Sequence, residues 1–250
     1  MDLAGTLKLG DHELVSFVGA GGKKTAMVRL ADAATVRGLP VGYTTTTHMP
    51  PPDYPLVVAD DSGLWDELAG TDSPVAFARE RVENPERAVQ KVRGHDPAII
   101  DALFDRGPMD WVLVKADGAR RREFKAPNPD EPVVPETSTH VVPVASVSAV
   151  GEPLDEATVH RPDRIGALTG LDRGEEITPV AVGTVLAHDD GGCKDLPADA
   201  TVTPLINKAD TPAQQETARA VLDAALSRTD RFTRGLVCSF ETGALGAVER

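Results

Sequence analysis

Apolar residues crowd Leu14–Val18 and stop at a cluster of glycines, the pattern of a short buried strand. From Lys23 to Arg37 the apolar positions Met27, Leu30, Ala31 and Ala34 recur on one helical face. β character resumes over Leu39–Tyr43. Strand, glycine-rich turn, helix, strand is how a parallel α/β sheet begins. Pro50-Pro51-Pro52 then breaks the chain, and Leu56–Ala59 reads as another strand. Asn84–Phe104 carries two helical patterns, interrupted at Gly94-His95-Asp96-Pro97. Trp111–Lys115 is nearly all apolar, as a strand covered on both faces should be.

Arg120–Glu136 is polar and proline-rich and is expected to be loop. His140–Val147 reads as a strand, Arg161–Leu171 and Thr178–His188 as helices. Thr201–Ile206 is β-like, Thr211–Ser227 helical, and Gly235–Ser239 a last short strand. There is no internal repeat, low-complexity tract or flexible linker. The expected architecture is one α/β domain over residues 1–250. It has a mainly parallel sheet with helices on both faces, in the manner of phosphate-loop NTPases, and residues 153–197 are the place for a small helical insertion.

With 41% hydrophobic residues the 250-residue chain can bury a sizeable core. Only 4% are aromatic, so packing must rest on Val, Leu, Ile and Ala. The 39 acidic against 26 basic residues give a formal charge of −13, which disfavours nucleic acid or an anionic membrane as partner. Such an excess suits a halophilic, salt-adapted protein and equally a merely acidic one. Cys193 and Cys238 make neither a disulfide framework nor a zinc site. No run of about 18 apolar residues exists. The N-terminus lacks a basic region followed by an apolar one, so a cytoplasmic location is expected.

Chemistry concentrates first at Gly19-Ala20-Gly21-Gly22-Lys23-Lys24-Thr25. Phosphate recognition needs several backbone N–H groups aimed at one point, plus a cation. The glycines let the backbone curl, the following helix offers its free N–H groups, and Lys23 would reach the β- and γ-phosphates of a nucleoside triphosphate. The match to the usual phosphate loop is incomplete: Phe17 holds the first glycine position, Lys24 the metal-binding hydroxyl position, and Thr25 comes one residue late. Either Thr25 holds Mg²⁺, or Lys24 partly replaces the metal as a charge. Asp117, at the end of the Trp111–Lys115 strand, is the expected acid for Mg²⁺; the plain alternative is an Asp-Gly turn.

Asn207-Lys208-Ala209-Asp210 resembles the guanine-reading N-K-x-D motif of GTPases. A carboxylate at Asp210 can accept from both N1–H and N2–H₂ of guanine. Lys208 would lie over the base, and Asn207 would tie this loop to the phosphate loop. The cofactors expected are therefore Mg²⁺ with GTP or ATP, GTP favoured. Thr47, in Thr44–Thr47, could reach Mg²⁺ or the γ-phosphate, or simply belong to a β-branched strand run. Lys115, Arg120, Arg121, Arg122 and Lys125 form a local basic cluster that is either an anion clamp or a solvated loop. Lys23, Asp117 and Arg120 are the expected catalytic residues. A small-molecule kinase would use Arg120, Arg121 and Lys125 to hold an anionic acceptor; a non-catalytic partner module would only bind nucleotide. His160-Arg161-Pro162 reads as a helix start with an exposed histidine.

These pieces together resemble the YqeC family, described as selenium-dependent hydroxylase accessory proteins. The resemblance rests on Ser16–Lys23, Thr44–Thr47, Ala116–Arg120, Lys125-Ala126-Pro127, Glu131–Pro135, Val159–Pro162, Gly191–Lys194 and Asn207–Asp210. The family typically has Thr where Lys24 stands. The resemblance implies a phosphate-loop-like protein serving the maturation of molybdenum-dependent hydroxylases, with such an enzyme or its maturation proteins as partner.

Overall fold

The apolar runs become parallel strands. In the computed structural model, which describes residues 1–83 and 90–250, helix α1 (Leu3–Leu7) precedes β1 (Glu13–Gly19) and α2 (Lys23–Arg37). Next come β2 (Val41–Thr45), β3 (His48–Met49), β4 (Leu56–Val58), α3 (Leu64–Ala69), β5 (Val75–Ala78), β6 (Glu80–Val82) and β7 (Lys91–Arg93). They lead to α4 (Pro97–Arg106), β8 (Trp111–Lys115), β9 (Phe124–Lys125) and β10 (His140–Ser146). The chain closes with β11 (Val159–His160), α5 (Pro162–Thr169), α6 (Pro179–Ala187), β12 (Thr201–Val202), β13 (Leu205–Asn207), α7 (Pro212–Leu226), β14 (Arg234–Cys238) and β15 (Leu245–Glu249).

The main sheet runs β15-β14-β13-β10-β1-β8-β2-β5-β4, with β12 also paired to β10. Every pairing in it is parallel except β14 with β15. Parallel pairing sends the carboxyl ends of β1, β2, β8, β10, β13 and β14 to one edge. Open α/β sheets bind ligands outside that edge.

Strand alternation fills both faces. Phe17, Leu113, Val144, Leu205 and Leu236 pack with Met27, Leu30 and Ala34 of α2. On the opposite face Ile206 and Val237 meet Val221 and Leu222 of α7, while Val112 and Val114 meet Leu64, Leu68, Ile100 and Leu103. Helices therefore cover both faces, as expected. Within residues 153–197, Ile165, Ile177, Val182 and Val185 share the core of α7. Among the described residues no helix is long and apolar enough to cross a membrane.

Several elements depart from the sequence pattern, among them β9 inside the expected loop Arg120–Glu136 and β15 after the expected last strand. Of the helical pattern read from Asn84, residues 84–89 lie outside the described residues. Lys91–Arg93 is a strand, paired to β3 and β6 in a small antiparallel sheet. Partner strands override a helical spacing over so short a stretch. The second half of that segment is helical only from Pro97, where proline suits a first turn. His160 belongs to β11, which pairs with β9, and the helix begins after it.

Candidate functional site

The turn after β1 is built by glycines in conformations other residues avoid. Gly19, Gly21 and Gly22 have φ of +88°, +82° and +151°. A Cβ on Gly19 would lie 2.3 Å from the Val144 carbonyl, and one on Gly22 would lie 2.4 Å from the Asn207 amide nitrogen. The turn is anchored where Gly19 N–H donates to Asp117 Oδ2 (2.7 Å) and Ala20 N–H to Val144 O (2.8 Å). Among the described residues, the N–H groups of Gly21, Gly22, Lys23, Lys24 and Thr25 find no protein acceptor. Such orphan donors at a helix start, with the positive end of its dipole, make an anion site.

Gly22→Ala is expected to destabilise the chain by about 2–5 kcal/mol, from left-handed strain plus overpacking against Asn207. Gly38→Ala, also left-handed but with open space around it, should cost only about 1–2 kcal/mol. Urea unfolding of both variants checks this; equal losses would mean that the Asn207 contact does not constrain the loop.

Behind the loop lies a buried chain of charges. Lys23 Nζ sits 2.5 Å from Asp117 Oδ1 and also donates to Gly19 O. Lys125 Nζ lies 3.0 Å from Asp117 Oδ2 and 2.8 Å from Glu131 Oε2, and Arg161 reaches that same Glu131 oxygen at 2.8 Å. Burial alone would raise the Asp117 pKa. The ammoniums of Lys23 and Lys125 and the Gly19 N–H outweigh it and hold the carboxyl below its ordinary range. Burial pulls Lys23 below its ordinary value, against the attraction of Asp117. Lys125 is thus turned into this network and does not line the cleft, which corrects its expected place in an acceptor clamp.

In front of the loop a cleft of about 680 Å³ opens. One side is Gly21, Gly22, Lys23, Lys24 and Thr25; the other brings Thr47, His48, Lys115 and Arg120 through Arg122. The one carboxylate among the described residues that line it, Glu131, is already paired with Lys125 and Arg161. Against a net charge of −13 this is a concentrated positive pocket. Lys115 is 8% exposed and donates to Thr47 Oγ1 (3.1 Å) and the His48 carbonyl (3.0 Å). Burial first, then Lys23, pulls its pKa down to about 7. His160 is half-buried, and burial, with Arg161 and Lys125 beside it, lowers its pKa to about 4.

The Asn207–Asp210 turn lies across β10 from β1. Asn207 Nδ2 donates to Gly21 O at 2.9 Å, so the expected tie between the two loops is present. Lys208 Nζ is bonded to Glu123 Oε1 at 2.7 Å. Asp210 Oδ1 accepts from Ser239 Oγ at 2.5 Å. Ser239 carries only a faint signal in the sequence, a hydroxyl directly after a strand that neighbours Asn207's. Glu131 and Arg161 carry no chemical signal of their own in the sequence, although both sit in family-resembling stretches.

A resident metal finds little here: among the described residues no group of three His, Cys, Asp or Glu side chains could hold one. Both Asp117 oxygens are engaged, and Thr25 is an exposed hydroxyl at the cleft wall. The donor set therefore fits Mg²⁺ carried in on phosphate oxygens, which need few protein ligands. Thr25 would face it, and Asp117 could contribute once Lys23 is drawn onto a phosphate.

A family model described as "YqeC protein" matches residues 15–163 of this chain. That stretch holds the loop, Asp117, Glu131 and Arg161 and stops before Asn207–Asp210. A protein of Escherichia coli (strain K12) described as "Uncharacterized protein YqeC" is 32% identical over 186 residues, covering 74% of this chain and 71% of its own length.

Proposed function

This chain belongs to the YqeC family, and from that premise we propose that it binds a nucleoside triphosphate at the Gly19–Thr25 loop, GTP ahead of ATP, and hydrolyses it slowly. The observation that carries the reading is the run of amides from Gly21 to Thr25 that find no acceptor among the described residues, at a cleft lined by Lys23 and Lys24. Lys23 would leave Asp117 for the β- and γ-phosphates, and with the loop amides would hold charge developing on the phosphoryl group. Mg²⁺ would enter with the nucleotide and neutralise its phosphates. Guanine preference is supported by Asp210, whose carboxylate is held in orientation by Ser239. On the resemblance alone, we also propose that the nucleotide state serves the maturation of a molybdenum-dependent hydroxylase.

Calorimetric titration with GTP, ATP and CTP, with and without Mg²⁺, tests this. Lys23→Ala should weaken binding about ten- to a hundred-fold, the loss of a charged hydrogen bond. Asp210→Asn should erase the difference between GTP and ATP; unchanged affinities would mean that Asp210 does not read the base. Turnover without any added acceptor supports hydrolysis. Binding without turnover would instead favour a partner-binding module, the reading that Lys24 at the hydroxyl position supports.

A further inference from the structure

The nucleotide reading uses only one side of the site. Its base would be read at Asn207–Asp210, after β13, and β13 lies beyond β10 on one flank of β1. The cleft extends the other way, towards the ends of β8 and β2, which lie on the opposite flank. That lobe, lined by Thr47, His48, Lys115, Arg120 and Arg121, is left without a ligand by a nucleotide stretched from the loop to Asp210.

Its construction calls for an anion. Lys115 is a lysine buried to within 8% exposure whose ammonium, among the described residues, touches only neutral oxygens, Thr47 Oγ1 and His48 O. Among the described residues no carboxylate lies within ion-pair distance of it. A buried cation in this condition is costly unless a counter-charge arrives. Arg120 and Arg121 stand at the same wall with φ of +47° and +61°. Two consecutive non-glycine residues in the left-handed region cost about 1–2 kcal/mol each. Neither makes an ion pair among the described residues, so the strain goes into presenting two free guanidiniums at the cleft.

We propose that this lobe is a subsite for a second small oxyanion, bearing phosphate or carboxylate, held by Lys115, Arg120 and Arg121 beside the nucleotide's terminal phosphate. Its separateness rests on the nucleotide reading above. Thr47 Oγ1, whose hydrogen-bond donor is Lys115, would share that contact with the ligand. Planar guanidiniums give paired N–H donors suited to an oxyanion, and Lys115 supplies the buried point charge.

The test is calorimetric titration of the full chain with inorganic phosphate, and separately with citrate, in the absence and in the saturating presence of guanosine 5′-(β,γ-imido)triphosphate and Mg²⁺. Phosphate or citrate should still bind when the nucleotide analogue saturates the loop. Lys115→Met and Arg121→Gln should each weaken it by about ten-fold or more, with analogue affinity little changed. Arg121 is exposed, so its variant keeps the test valid if Lys115→Met does not fold. Competition between analogue and both anions, or anion binding indifferent to both variants, overturns the proposal. If the analogue does not bind at all, the nucleotide reading fails by itself. The anion titrations then decide: sensitivity to Arg121→Gln supports the subsite, and sensitivity to Lys24→Ala alone refutes it.

Discussion

Asp117→Ala should lower the stability of the chain by about 3–5 kcal/mol, the penalty for stranding buried charges. For a domain of this size that is a fall in Tm of roughly 6–20 °C. Asp117 is 1% exposed and is shared by two lysines, Lys23 at 5% and Lys125 at 4%. Removing the carboxylate leaves both ammoniums in a low-dielectric interior; Lys125 keeps Glu131, but among the described residues Lys23 keeps only the Gly19 carbonyl. It also frees Gly19 N–H, so the loop loses an anchor. The double variant Lys23→Met with Asp117→Leu should recover part of the loss, because both charges of the pair leave together.

The pH dependence of this contribution follows from the direction of the shift. The Asp117 carboxyl is held below its unfolded value, so its stabilisation is complete above about pH 4 and is lost as pH falls through the folded value. Thermal melts of wild type and Asp117→Ala at pH 7 and pH 3 check both parts. A variant melting within about 2 °C of wild type at pH 7 would show that the cluster does not hold the loop to the sheet. Because the variant is expected to be unstable, Lys23→Ala is the cleaner probe of nucleotide binding.

How much of this was visible beforehand depends on the range of the interactions. Lys23–Arg37 is legible to both ends because its signals are local: glycines at 22 and 38 bracket one run of apolar spacing. Trp111–Lys115 was equally plain, since burial on both faces leaves a continuous apolar string. Val75–Ala78 is not legible, because four buried residues give no period to count, and the neighbours that bury them are distant in sequence. In the site, Gly19–Thr25, Asp117 and Asn207 could be picked out because each ends a recognisable strand, and parallel pairing brings strand ends together. The roles of Glu131 and Arg161, and the inward turn of Lys125, could not, for their meeting depends on how the polar stretch from Arg120 to Glu136 folds back under the loop. Nothing in composition or spacing encodes that return. The orientation of Lys115 is a similar case. As part of an apolar strand its Cα position was clear, but only the fold reveals that its ammonium ends in a cleft among other cations.

That orientation has a measurable consequence on the alkaline side. Lys115→Met is expected to be more stable than wild type at pH 6, by about 2–5 kcal/mol, and the advantage should vanish towards pH 10. In the folded chain burial, then Lys23 and Lys125, depresses the group to about 7, while Asp117 and Glu131 only partly offset them. Unfolded, the same lysine titrates near 10.4. Between those values the unfolded state binds the extra proton, so wild-type stability should rise with pH across that window and level off above it. Below pH 7 both states carry the proton and the full burial penalty is felt. Methionine has similar length and no charge, so it fills the space without that penalty. Urea unfolding of both proteins at pH 6, 8 and 10 gives the two curves. Parallel curves, with no narrowing of the gap as pH rises, would mean that Lys115 is solvated and charged throughout, and is no buried cation waiting for an anion. Converging curves would instead identify the residue as one kept at a cost to the fold, which is the expected signature of a side chain retained for what it binds.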